Sequence, residues 1–188
     1  MPTVAIVVHS VTGNTATIAE QIAAGVVATG TKASLVNVEG SDIIEGRYIN
    51  QHSLQIVDNA DAVIFGAPTF MGGPSAQFKA FADASSDRWE QQRWHNKWAA
   101  GFTTGTCLNG DQTSTLQYFT VLAAQHGMLW VSLDKPADVD TSAPNRLGVQ
   151  LGAVATIGND GVSQSDANTA CYLGQRIGTF ALHGKPYP

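Results

Sequence analysis

Three segments of the chain gather hydroxyl, amide and glycine residues in patterns suited to holding an anion and a flat aromatic ring. The first is His9-Ser10-Val11-Thr12-Gly13-Asn14-Thr15. Backbone N–H groups in such a turn point outward, the dipole of a following helix adds partial positive charge, and Ser and Thr hydroxyls donate further hydrogen bonds. The expected ligand is an anion, held without any Lys or Arg in the turn. N-capping by Thr12 or Asn14 would explain one or two polar residues, but not four such side chains in six positions. The second segment, Gly66-Ala67-Pro68-Thr69-Phe70-Met71-Gly72-Gly73-Pro74, is a Pro-led apolar loop. Its glycines let backbone amides approach a ring, and Phe70 and Met71 offer a soft surface beside it. The third, Thr103-Thr104-Gly105-Thr106-Cys107-Leu108-Asn109-Gly110-Asp111, is again rich in hydroxyls and glycine.

These segments follow apolar runs. Residues 3–8, 33–38, 62–65, 98–102 and 128–133 are short, apolar and in large part β-branched, which predicts five buried strands. Ile18, Ile22 and Val26, with Ala19 and Ala23 beside them, predict a helix over about 15–29. Phe78, Phe81 and Ala82 mark a second helix, Leu116, Phe119, Leu122 and Ala123 a third, and Ala170, Leu173, Ile177 and Phe180 a fourth. Apolar strands separated by helices imply a parallel sheet covered on both faces, because parallel strands need crossovers. The class is α/β in three layers, and ligands of such sheets bind beyond the carboxyl ends of the strands. Two stretches break the alternation: 40–58, polar with an apolar patch at Leu54, Ile56 and Val57, and 135–157, long enough to predict a lid or subunit contact.

With 188 residues, 44% hydrophobic and 13% charged, the chain suits one globular domain over 1–188. Ten Lys and Arg against fifteen Asp and Glu give −5, and the basic residues do not cluster, so neither nucleic acid nor a membrane surface is an expected partner. Cys107 and Cys171 are too few for a disulfide framework or a zinc site. The expected location is the cytoplasm. Neither G-x-x-x-x-G-K-[ST] nor G-x-G-x-x-G occurs after the first strand, and His9-Ser10 replace the acidic residues of a magnesium-binding receiver. A hydrolase loses support because there is no G-x-S-x-G elbow, and no metal is expected because the five histidines lack ligand spacing.

The segment 10–15 resembles the [ST]-x-T-G-x-T phosphate loop of the flavodoxin-like superfamily. The segment 66–72 resembles G-[ST]-P-T-x-x-G of the FMN-dependent NAD(P)H:quinone oxidoreductases of the tryptophan-repressor-binding-protein type, with Phe70 where that family often has Arg. Gln125-His126-Gly127-Met128 resembles its H-G-M segment before the fifth strand, and the similarity spans nearly the whole chain. The resemblance implies a flavodoxin-like fold with a five-stranded parallel sheet of order 2-1-3-4-5. It also implies FMN bound by Ser10, Val11, Thr12, Gly13, Asn14 and Thr15 at the phosphate, and by Pro68, Thr69, Phe70, Met71 and Gly72 beside the ring. Backbone donors of Thr103, Thr104, Gly105, Thr106, Cys107, Leu108 and Asn109 would meet the pyrimidine edge, where they stabilise the charge that accumulates on reduction. His126 would approach the flavin O2 edge, and Trp89 would cover the face used by the substrate, with Trp94 and Trp98 as rival candidates for that place.

The activity implied is two-electron transfer from NADH or NADPH through FMN to a quinone or similar small acceptor. The flavin carries that chemistry, so no residue is expected to be catalytic. A homodimer or homotetramer is implied. The alternative is a flavodoxin-type one-electron carrier between proteins, which a charge of only −5 disfavours.

Overall fold

The computed structural model describes residues 1–108, 110–137 and 143–184. The chain opens with β1 (Thr3–Val8), α1 (Asn14–Ala28) and β2 (Lys32–Asn37). A 3-10 turn at Gly40–Asp42 leads to the hairpin β3 (Ile43–Ile44) and β4 (Arg47–Tyr48), then α2 (Gln51–Asp58). Next come β5 (Ala62–Phe70), β6 (Gly73–Pro74), α3 (Ala76–Ala84), α4 (Ser86–Glu90), β7 (Trp98–Gly105) and α5 (Gln112–Gln125). The chain continues through β8 (Leu129–Trp130), β9 (Ala153–Gly158), β10 (Gly161–Val162) and α6 (Gln164–Leu182).

The central sheet runs β10-β9-β7-β5-β1-β2, with β8 also on β7. The pairings of β1 with β2 and β5, and of β7 with β5, β8 and β9, are all parallel. Its first four parallel strands, β1, β2, β5 and β7, therefore take the expected 2-1-3-4 order, with β6 antiparallel on β5. The fifth departs from expectation. Only Leu129 and Trp130 of the predicted run 128–133 pair with β7, against Trp98 and Ala99. The chain then leaves the sheet and returns as β9, whose Ala153–Thr156 pair with Phe102–Gly105 farther along the same edge. One strand position is thus filled by two segments.

Residues 153–157, expected within the lid or contact segment, are consequently core strand. Residues 143–152 are tied down rather than free. The Asn145 amide donates to Thr169 Oγ1 at 2.7 Å and its Nδ2 to the Lys135 carbonyl at 2.7 Å, while its Oδ1 accepts from Val149 N at 3.0 Å. The polar stretch 40–58 also has structure, because Asn50 caps α2 by accepting from Ser53 N and the helix buries Leu54 and Val57.

Period-two alternation divides the core. On β1, Val4, Ile6 and Val8 face α1 and α6, whereas Ala5 and Val7 face the side holding α2, α3 and α5. On β5, Ala62 and Ile64 take the first side and Val63, Phe65 and Ala67 the second. α1 and α6 pack backbone to backbone. A Cβ on Gly174 would stand 2.1 Å from the Ile22 carbonyl oxygen, and one on Gly25 2.0 Å from that of Cys171.

Candidate functional site

The winding reverses at β1, whose two neighbours are β2 and β5, and a crevice opens beyond the carboxyl ends of β1, β5 and β7. It holds a cavity of about 340 Å³, within the usual range for small-molecule sites. The first loop contributes Val11, Thr12, Asn14 and Thr15, the second Pro68, Thr69 and Phe70, and the third Thr104, Gly105 and Thr106. Ile157 of β9, expected within the lid or contact segment, closes one side.

The first loop ends in Gly13 at φ 90°, a left-handed position that favours glycine and starts α1 without a side-chain cap. Neither Thr12 nor Asn14 is the cap. Thr12 Oγ1 instead accepts from Asn14 Nδ2 at 3.1 Å. Ser10 lies outside the cavity lining and its Oγ accepts from Ala16 N at 3.2 Å. The first amides of a helix have no intrahelical acceptor, so those of Asn14 and Thr15 face the ligand position together with the positive end of a 15-residue helix dipole. No acidic residue occupies that first turn, and no charged side chain lines the cavity. The donor set fits a phosphate held by neutral groups.

In the second loop, Phe70 pairs with Gly73 across a two-residue turn in which Met71 (φ 49°) and Gly72 (φ 79°) are both left-handed. Met71 projects fully into solvent, with Phe70 half exposed beside it. Val11 on the first loop is also exposed and, like Phe70, lines the cavity, which gives the crevice an apolar rim. That rim and the uncharged walls suit the body of a flavin ring.

In the third loop, Thr103 is fully buried and turned away from the cavity, while Cys107 and Leu108 are exposed and do not line it. Asn109 lies outside the described residues. Two braces in the site were missed from sequence. Gln112 Nε2 donates to the Cys107 carbonyl at 2.6 Å, shaping the third loop. His9 Nδ1 meets Ser75 Oγ at 2.7 Å, which ties the end of β1 to the start of α3, and burial lowers the His9 pKa against the opposing charge of Glu39. The adjacency of His9 to the phosphate loop was the one signal for it.

His126 and Trp89 are not brought to this cavity. α5 starts at the third loop, and its 14 residues carry the chain roughly 21 Å back toward the amino ends of the strands, where His126 ends the helix. There His126 is buried, Nε2 lies 2.9 Å from Ser85 Oγ, and the ring packs on Trp94 at 4.3 Å between centroids. Burial pushes its pKa down to about 4, and its Nδ1 has no protein partner. Trp89, half exposed on α4, shares with His126 a separate cavity of about 170 Å³. Trp94 is core, donating from Nε1 to Asp58 Oδ1 at 2.7 Å, and Trp98 packs on Phe180. Neither Trp94 nor Trp98 covers the crevice.

A larger cavity, about 660 Å³, opens beside Trp98 and Phe180 at that opposite end of the sheet. Its guanidinium, Arg176, is already engaged by Asp134 and the Ser132 carbonyl, and the turn chemistry of the crevice is missing there.

Residues 2–136 match the family model described as NADPH-dependent FMN reductase. The chain is 39% identical over 142 residues to the protein named Flavodoxin FldP of Pseudomonas aeruginosa, covering 73% of this chain and 74% of that one. It is 29% identical over 196 residues to an NAD(P)H dehydrogenase (quinone) of Archaeoglobus fulgidus, covering 96% and 98%. Among solved structures, a flavodoxin, WrbA-like protein from Agrobacterium tumefaciens superposes with a TM-score of 0.79 at 37% identity, covering 98% of this chain and all of that one.

Proposed function

The chain belongs to the NADPH-dependent FMN reductase family, and on that premise we propose that it is an FMN-binding oxidoreductase passing two electrons from NADH or NADPH to a quinone or similar small acceptor. The observation that carries this reading is the convergence of three uncharged loops on one cavity at the point where the sheet reverses its winding. The relative named NAD(P)H dehydrogenase (quinone), matched over nearly its full length, supports the same activity.

In this reading the amides of Asn14 and Thr15 and the hydroxyl of Thr12 hold the FMN phosphate. Pro68, Thr69 and Phe70 flank the flavin, and the backbone around Gly105 and Thr106 donates to its pyrimidine edge. When bound, FMN supplies the site that accepts hydride and returns electrons to the acceptor. The protein contributes no nucleophile. Val11 and Phe70, apolar and at the cavity lining, narrow access of water to the crevice.

The assembly proposed is a homodimer or homotetramer. Trp89 and His126 sit toward the amino ends of the strands, the opposite end of the sheet from their own crevice, so any contact they make with flavin or substrate is made by a second copy. Light scattering at the mass of the 19.8 kDa monomer would remove that contact and the oligomer with it. No helix among the described residues is long and apolar enough to cross a membrane. The location proposed is the cytoplasm, where the free thiols of Cys107 and Cys171 suit a reducing environment.

A second reading, a one-electron carrier between proteins, is favoured by the relative named Flavodoxin FldP. Anaerobic titration with NADH and NADPH, followed by steady turnover with a benzoquinone, distinguishes the two. Direct oxidation of either nicotinamide, with the flavin passing from oxidised to two-electron reduced, is expected. No nicotinamide oxidation and a stable one-electron-reduced flavin would assign the chain to the carriers. Heat-released flavin should chromatograph as FMN.

A further inference from the structure

The hydroxyls behind the cavity wall form a chain whose proton directions are fixed. Thr69 Oγ1 lies 2.8 Å from Thr103 Oγ1 and 2.8 Å from Thr115 Oγ1, and Thr103 Oγ1 lies 2.8 Å from the Ala67 carbonyl oxygen. A carbonyl only accepts, so the single proton of Thr103 goes to Ala67. Thr103 then accepts from Thr69, which uses the one proton Thr69 has. Thr115 in turn donates its proton to Thr69. Thr103 and Thr115 are fully buried, so neither has water as an alternative partner.

Thr69 is the member of this chain that lines the cavity. Its proton is committed to Thr103 and one lone pair to Thr115, which leaves one lone pair. We propose that Thr69 is a specificity-determining residue that meets the ligand solely as a hydrogen-bond acceptor, so that the bound flavin must present an N–H or O–H to it. This rests on the FMN reading of the site. The wall is thereby polarised, with donors at the N-terminus of α1 and an acceptor at the end of β5. A ligand placing a carbonyl against Thr69 would set lone pair against lone pair. FMN has two kinds of donor to offer, the ring N3–H and the ribityl hydroxyls.

The test is equilibrium binding to apoprotein, read by quenching of flavin fluorescence, with no turnover required. FMN, N3-methyl-FMN and FMN analogues each lacking one ribityl hydroxyl are titrated into the wild-type protein, Thr69→Val and Thr69→Ser. Thr69→Val should weaken FMN about threefold to tenfold, and Thr69→Ser should restore most of the loss. One analogue should lose a similar factor on the wild-type protein and nothing further on Thr69→Val. Loss confined to N3-methyl-FMN identifies the ring N–H as the donor, and loss confined to a deoxy analogue identifies that hydroxyl. If FMN binds and no analogue is weakened on the wild-type protein, or if the losses of variant and analogue simply multiply, the acceptor role is wrong while the FMN site stands. Failure of the wild-type protein to bind FMN at all would instead overturn the functional reading.

Discussion

Thr15 on the first turn of α1 and Thr104 near the end of β7 stand 89 positions apart in the chain, yet their hydroxyl oxygens meet at 2.8 Å. Both side chains are buried and both line the cavity, so this bond joins the first and third loops within its wall. Thr15→Val keeps the shape but leaves the Thr104 hydroxyl without its partner. A destabilisation of about 1–3 kcal/mol is expected in urea unfolding. Removing both hydroxyls, in Thr15→Val with Thr104→Val, should cost less than the sum of the two single changes.

Thr12 should behave differently, because its hydroxyl is exposed and bonded to the Asn14 side chain rather than to the core. Thr12→Ala should leave stability within about 0.5 kcal/mol. If its hydroxyl serves a phosphate, FMN affinity should fall about tenfold, the size of a hydrogen bond to a charged group. An unchanged dissociation constant would place the phosphate elsewhere.

Residues 3–8 and 62–65 were readable as strands because nearly every side chain there is apolar, as burial on both faces demands, and the loops after them were readable because their hydroxyls and glycines are contiguous. The fifth strand was not, because Ala153-Val154-Ala155-Thr156-Ile157 carries a strand texture but completes a position begun at Leu129 and Trp130. Nothing local says that two segments share one edge. The placement of His126 away from its own crevice was illegible for a related reason. Its residue type marked it, but only the length of α5 decides which end of the sheet it reaches. The partners Thr115, Gln112 and Ser75 carry no motif, since their roles arise only when distant elements meet.

Met71 holds a left-handed backbone at φ 49° while its side chain is fully exposed, so strain is incurred without packing in return. The turn it forms with Gly72 suits Asn-Gly best. Met71→Asn should stabilise the protein by about 0.5–1 kcal/mol, seen as a rise of roughly 1–4 °C in Tm. A fall in Tm would mean that Met71 is covered in the working assembly.

His126 makes stability depend on pH in a defined direction. Its folded pKa of about 4 lies below its ordinary value of 6.5, so the unfolded chain binds the proton more tightly. Its contribution is therefore complete above pH 6.5 and is lost as the pH falls toward 4, with a full size on the order of 3 kcal/mol. His9, also lowered by burial, adds a loss of the same sign. Comparing wild type with His126→Gln isolates the first. Between pH 7 and 4.5 the wild-type urea midpoint should fall more steeply than that of the variant. Equal slopes would show that His126 is already protonated or solvated at neutral pH.

Asp166 joins three parts of the chain at the edge of the sheet. Its carboxylate accepts from Arg146 Nε at 2.9 Å and Nη2 at 2.8 Å, and from Thr156 N at 3.0 Å, while its own amide is capped by Ser163 Oγ at 3.2 Å. The carboxylate is buried, and Arg146 is largely so. Asp166→Asn keeps the size but removes the charge, stranding the guanidinium in a site that no longer neutralises it. The cost of breaking such a pair from one side is about 3 kcal/mol or more. Arg146 also helps hold residues 143–152 against α6 and β9, beside Asn145 and the Ser165 hydroxyl that donates to the Ala143 carbonyl, so their loosening should accompany the global loss. Limited proteolysis of Asp166→Asn should cut first within 143–152, before α1 or β5 is touched. Loss of stability without preferential cutting there would mean that Asn145, Ser165 and Trp130 anchor the segment without Arg146.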